Sequence, residues 1–273
     1  MSIFNFFKKK TPVCPVTDDV REWIEEAYSW LLDEFGADII KAKKIRLPDQ
    51  ENFPIIYNGE HKVAFDTLKI VACQMDVDPN EIVINFYSEG ITEIESGGIG
   101  SSKVFIGHEK DAKKSSGLYK GKKNDGKYHI SLEGENLKDP VGMVATLAHE
   151  IAHIKLLGEH RLERNNEQLT DLTTIIYGLG IFNANTAFRF NSGFDQWGYR
   201  QLGYLTQIEW GYALALYAYL RGENTPQWIN YLSETVKGNF KRSEQFIKAN
   251  KEKIRVANTG PSTLPQSPPG RNK

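Results

Sequence analysis

At 273 residues, 40% hydrophobic and 25% charged, the chain has the composition of an ordinary globular protein, long enough for one large core. A net charge of -1 gives no basic surface to argue for nucleic acid, and the two cysteines, Cys14 and Cys73, build neither a disulfide framework nor a cysteine metal cluster. That cysteine usage fits a reducing, cytoplasmic setting, and no run of about 18 apolar residues offers a membrane span.

The opening residues, MSIFNFFKKK, place aromatics before lysines, the reverse of a secretory signal. Phe4, Phe6 and Phe7 with Lys8 to Lys10 could make peripheral contact with an anionic bilayer, but the plainer reading of residues 1–16 is a disordered tail. Thr17 then reads as an N-cap with Asp18 and Asp19 behind it, and Val20, Trp23, Ile24, Ala27 and Leu31 recur at helical spacing until Gly36 stops them. Residues 37–60, broken by Pro48 and Pro54, read as loop with a short strand near Lys44 to Leu47. A second helix is expected from His61 to Met75, ended by Pro79.

Glu81 to Tyr87 is rich in β-branched and aromatic residues and reads as a strand, with Val104 to Ile106 a further candidate. The glycine-rich stretch from Gly97 to Lys103 lacks the Gly-Lys-Ser/Thr order of a phosphate loop and reads as a flexible connection. Lys110 to Lys127 is basic but has only Tyr119 and Tyr128 to interleave, so a solvated hairpin or loop is favoured over nucleic-acid contact. Tyr128 to Leu132 completes the expected strands. The sheet therefore falls within residues 81–132.

Asp139-Pro140 starts the helix around which the chain is organised, since Asp caps and Pro suits the first helical position. It carries His149-Glu150-Ile151-Ala152-His153. Histidines four apart project from one helical face and can share a tetrahedral metal ion, and Glu150 lies where a carboxylate takes a proton from metal-bound water. Val144, Leu147, Ile151 and Ile154 form the buried back, whereas Gly142, Ala145 and Thr146 beside the histidines leave room for a ligand. The metzincin continuation is missing, because Leu156 and Glu159 stand where it has Gly and His.

Beyond Gly158 a further helix has Leu169, Leu172 and Ile176 on its buried face and Glu167 and Asp171, four apart, on the other, so both acids can return to the histidine pair. The pattern His149-Glu150-x-x-His153 followed by Glu167-x-x-x-Asp171 resembles the gluzincin branch of the zincin metallopeptidases over about residues 141–180. The resemblance implies zinc held by His149, His153 and Glu167, with Glu150 as general base and Asp171 orienting a ligand histidine. It also implies a cleft between sheet and helices that takes an extended peptide or protein segment as substrate. Asp171 itself, Glu159, Glu163 and Glu209 stay open as alternative third ligands. An oxyanion donor is sought among Tyr199, Arg200 and Tyr204, with Tyr204 taken forward as a catalytic candidate; His160 reads more simply as a cation-capable residue beyond a helix end.

Phe182 to Gly193 reads as loop forming one wall of the cleft. Ile208 to Leu220 is apolar on nearly every side and predicts a buried helix. Thr225-Pro226 opens a helix with Trp228, Ile229 and Leu232, and a more charged helix runs on to about Lys253. Residues 257–273 form a proline-rich tail, expected to be disordered. The expectation is thus an α+β, zincin-like domain over residues 17–256, mostly helical with a small sheet beside the motif helix, acting as a zinc-dependent peptidase. A metal-binding protein without proteolytic activity on the same scaffold, and a helical interaction module with a chance motif, are the competing readings.

Overall fold

The computed structural model describes residues 11–88, 91–97, 101–104, 117–187, 189–193, 196–200, 204–256 and 264. The N-terminal aromatic and lysine cluster and nearly all of the proline-rich tail lie outside them.

Helix α1 (Asp18–Phe35) ends at Gly36, whose φ of +87° favours a residue without a Cβ. Its apolar stripe is wider than the sequence suggests: Trp23, Ile24, Ala27, Tyr28, Trp30, Leu31 and Leu32 are all buried. A short helix, α2 (Ile39–Ala42), follows, and α3 (His61–Gln74) packs beyond it. The strand expected near Lys44 to Leu47 is not formed. Its backbone is tied instead to the end of a later helix, with the Arg46 N–H donating to Gly178 O and the Gln74 amide donating to Lys44 O and Tyr177 O. Extended residues bonded at single points to a helix end cannot make a ladder.

The sheet comprises β1 (Ile82–Ser88), β2 (Ile91–Gly97), β3 (Ser101–Val104), β4 (Gly117–Lys122) and β5 (Tyr128–Glu133), in the spatial order β3-β2-β1-β5-β4. β1 and β5 run parallel, with Ile84 opposite Ile130, and the other pairings are antiparallel. Ile82, Ile84, Phe86, Tyr128, Ile130 and Leu132 alternate onto the core face. The Val104 to Ile106 candidate overlaps β3 only at Val104, and residues 105 and 106 lie outside the described ones.

The motif helix α4 (Pro140–His153) begins with the Asp139 carboxylate accepting from the Gly142 N–H at 3.0 Å. It continues through a π-helical turn, Ile154–Gly158. Then follow α5 (Glu167–Ile176), α6 (Gly180–Thr186), a hairpin of β6 (Arg189–Gly193) and β7 (Gln196–Arg200), α7 (Gln207–Leu220) and α8 (Glu234–Ala249). The stretch from Phe182 to Gly193, read as loop, is therefore helix and hairpin. Its buried Asn183 donates to Ala145 O at 3.0 Å, so the small residues of α4 serve helix packing. The helix expected after Thr225-Pro226 is only a 3₁₀ segment, Gln227–Tyr231.

Helix α7 is buried along almost its whole length, as its all-round apolar sequence requires. A reciprocal cap between Thr206 and Glu209 starts it. The buried apolar residues, from Val16 to Ile247, form one continuous core. The described fold is α+β and mostly helical, with the small sheet beside α4. Cys14 and Cys73 are both free, and no helix among the described residues is long and apolar enough to cross a membrane.

Candidate metal centre

Two helices build the site. From α4, the i, i+4 spacing sets the imidazoles of His149 and His153 edge to face, with ring centroids 4.9 Å apart. From α5, capped by the Asn166 side chain accepting from the Leu169 N–H, the face at 167, 170 and 171 returns to them.

Each residue of that face takes a different nitrogen. The Glu167 Oε2 atom lies 3.0 Å from His149 Nε2 and 3.4 Å from His153 Nε2. The Asp171 Oδ1 atom accepts from His149 Nδ1 at 3.0 Å, and its Oδ2 accepts the backbone N–H groups of Tyr204 at 2.7 Å and Leu205 at 3.1 Å. Thr170 Oγ1 donates to Asn166 O and so presents a lone pair to His153 Nδ1 at 3.4 Å. With each Nδ1 facing an acceptor, both Nε2 atoms face Glu167 Oε2, and a cation seated among the three would take the place of the Nε2 protons.

The three ligating atoms lie within 4.8 Å of one another, close enough to share one cation. Ligand distances of about 2.0–2.1 Å put neighbouring donors of a tetrahedron about 3.3 Å apart, between the two separations observed here. Two imidazoles and a carboxylate are a donor set for a divalent transition metal. His149, His153 and Glu167 are the group of ligating side chains that could hold a metal among the described residues.

Glu150 is buried beside them, and its Oε2 has no hydrogen-bond partner. Desolvation raises its pKa, opposed by the two histidines and by a hydrogen bond from the Tyr119 backbone N–H. For His149, burial favours the neutral form, but the hydrogen bonds to Asp171 and Glu167 outweigh it and hold its pKa well above the ordinary value. Burial pushes Glu167 upward, and the hydrogen bonds from His149 and His153 overcome this to hold its pKa well below the carboxylate range.

Tyr204 lies at the same site. Its ring is nearly parallel to that of His149, at 6.4 Å and 18°, and its hydroxyl is hydrogen-bonded to Glu167. Burial first, and then Glu167, push the phenol up to about 12, so it stays a neutral donor. Tyr199 and Arg200 belong to β7, and their side chains lie outside the described residues.

The alternative third ligands are engaged elsewhere or turned to solvent. Glu159 pairs with Lys155 at 2.5 Å and Arg161 at 2.8 Å, Glu209 closes the α7 cap, and Glu163 is exposed. His160 is exposed at a φ of +58° beyond the π turn. Two neighbours of the centre are not among the site residues read from the sequence: Thr170 and Tyr119. Thr170 was legible in principle, being on the same helical face as Glu167 and Asp171. Tyr119 carries no such signal, because it arrives from the sheet. Its ring lies nearly parallel to His153, at 5.9 Å and 16°.

No protein-family model, curated protein or solved structure matches the chain.

Proposed function

We propose that the chain is a zinc-dependent hydrolase, and specifically a peptidase on a zincin-like scaffold, with His149, His153 and Glu167 as metal ligands. The observation that carries this reading is the convergence of two Nε2 atoms and one carboxylate oxygen beside a buried glutamate whose Oε2 lacks a partner. When bound there, zinc supplies a charge that lowers the pKa of water toward about 7 and polarises a carbonyl.

The remaining chemistry belongs to the side chains. Glu150 accepts a proton at Oε2 and returns it to the leaving amine; burial makes its carboxylate a better base by raising its pKa. Asp171 holds His149 in the tautomer that leaves Nε2 free. Tyr204, half-exposed and neutral, donates toward a developing oxyanion by leaving its bond to Glu167.

An extended peptide is the substrate class that suits the surroundings. Among the described residues β4 ends the sheet order and packs beside α4, and a sheet edge can take a further strand through its backbone groups. A cytoplasmic setting is part of this reading, in keeping with the two free cysteines.

Protein purified without chelator and assayed for metal and for cleavage of unfolded protein substrates tests the proposal. Stoichiometric zinc is expected, and Glu150→Gln is expected to keep the metal while losing about 10²–10⁴-fold in rate. Equal cleavage by wild type and E150Q would remove Glu150 from the mechanism, and absence of zinc would remove the metal reading altogether.

A further inference from the structure

The two histidines are not equally restrained. His149 is held by a 3.0 Å charge-assisted bond to Asp171, a carboxylate itself fully buried and anchored by two backbone amides. His153 has only a neutral hydroxyl at 3.4 Å, near the limit at which a hydrogen bond still directs a ring. A second restraint on His153 is required to keep its Nε2 aimed at Glu167 Oε2, and the sheet provides one.

Tyr119 sits in β4, which ends the sheet order among the described residues. Its ring lies against His153 at 5.9 Å, only 16° from parallel. The approach depends on Gly158. A Cβ there would lie 3.1 Å from Tyr119 Oη and 2.7 Å from Tyr128 Cε1, so glycine lets both tyrosines close over the end of the motif helix. Tyr128 completes the contact by donating its hydroxyl to Gly158 O at 3.3 Å.

We infer that Tyr119 is a positioning residue for the centre, its ring fixing the plane of His153. This rests on the metal-site reading above. An offset-parallel ring restrains rotation about the imidazole's own axis, the motion that a single long hydrogen bond leaves free. One residue of β4 thereby ties a metal ligand to the element on which a peptide would lie.

The test measures zinc affinity of the full chain by competition with a chromogenic chelator, together with the visible absorption of the cobalt-substituted protein, which reports ligand geometry. Tyr119→Phe keeps the ring and is expected to match wild type within about twofold. Tyr119→Ala is expected to weaken zinc about tenfold or more, the range for losing an outer partner of a ligand, and to alter the cobalt spectrum. Wild-type affinity in Y119A would overturn the inference, as would Y119F being as weak as Y119A, which would assign the effect to the hydroxyl. If alanine lowers the thermal midpoint of the zinc-stripped protein, Tyr119→Leu replaces it. Weakened zinc in Y119L supports the ring's role, and wild-type affinity there would reduce Tyr119 to bulk and overturn it. A wild-type chain that takes up no zinc would instead overturn the metal reading, and this inference with it.

Discussion

Asp171→Asn is the sharpest perturbation of the centre, because it keeps shape while removing one acceptor. The native carboxylate is fully buried and faces three N–H donors: His149 Nδ1 on one oxygen, and the amides of Tyr204 and Leu205 on the other. An asparagine has one acceptor oxygen, so its NH₂ must face donors on one side. If the NH₂ faces Tyr204 and Leu205, both backbone amides lose their acceptor, at about 1–3 kcal/mol for the buried Leu205 amide and less for that of Tyr204. If it faces His149, the imidazole can adapt by moving its proton from Nδ1 to Nε2, which costs far less stability. The second arrangement wins, and it puts a proton on the atom that would bind metal. D171N is therefore expected to fold with a loss of no more than about 1–2 kcal/mol but to bind zinc about 10–100-fold more weakly. Chelator competition reads the affinity, and thermal melting of the stripped protein reads the fold. Wild-type zinc affinity with an unchanged thermal midpoint would refute the reasoning, since it would mean that Asp171 neither sets the tautomer nor holds the 204–205 backbone.

Zinc added to stripped protein should raise the thermal midpoint, with a hundredfold excess over Kd contributing about 2.7 kcal/mol; a midpoint indifferent to zinc would argue against a site formed only in the folded chain. Gly211→Ala should destabilise by about 1–3 kcal/mol in urea unfolding. A Cβ there would approach the Asn239 carbonyl carbon and Phe240 nitrogen to 2.9 Å where α7 crosses α8. The opposite sign, the stabilisation of about 1 kcal/mol that alanine brings to an open helical position, would show that the crossing can relax. Tyr212→Phe removes the hydroxyl that donates to the buried Glu25 at 2.6 Å, while Arg21 and the Arg255 amide still serve that carboxylate. A loss of about 1.5–3 kcal/mol is expected from the same unfolding measurement, and an unchanged midpoint would mean that the remaining donors suffice.

Much of this architecture could be read residue by residue. The Asp139-Pro140 start, the buried back of α4 and the breadth of α7 are local patterns, set by which side chains a helix of 3.6 residues per turn brings to one side. The same periodicity placed His149 with His153 and Glu167 with Asp171. It misjudged the extended stretch at Lys44 to Leu47 and the segment from Phe182 onward, whose conformations depend on distant partners. Lys44 and Arg46 bond to Gln74 and Gly178, and Asn183 bonds to the motif helix, and none of these contacts leaves a mark on local spacing.

By itself, then, the sequence determined that two histidines share a helical face with a glutamate beside them, and that two acids lie one turn apart on a following helix. Only the tertiary structure decided the division of labour between those acids. The crossing of α4 and α5 brings Glu167 to the Nε2 atoms and Asp171 to Nδ1, and that choice depends on the angle and offset between helices rather than on the residues of either. It likewise brought in Tyr119 from β4 and the Tyr204 backbone from beyond the β6–β7 hairpin. The physical reason is the range of the forces involved: helical periodicity acts over four residues, whereas the orientation of an imidazole is set by whatever packs against it, however far away in the chain.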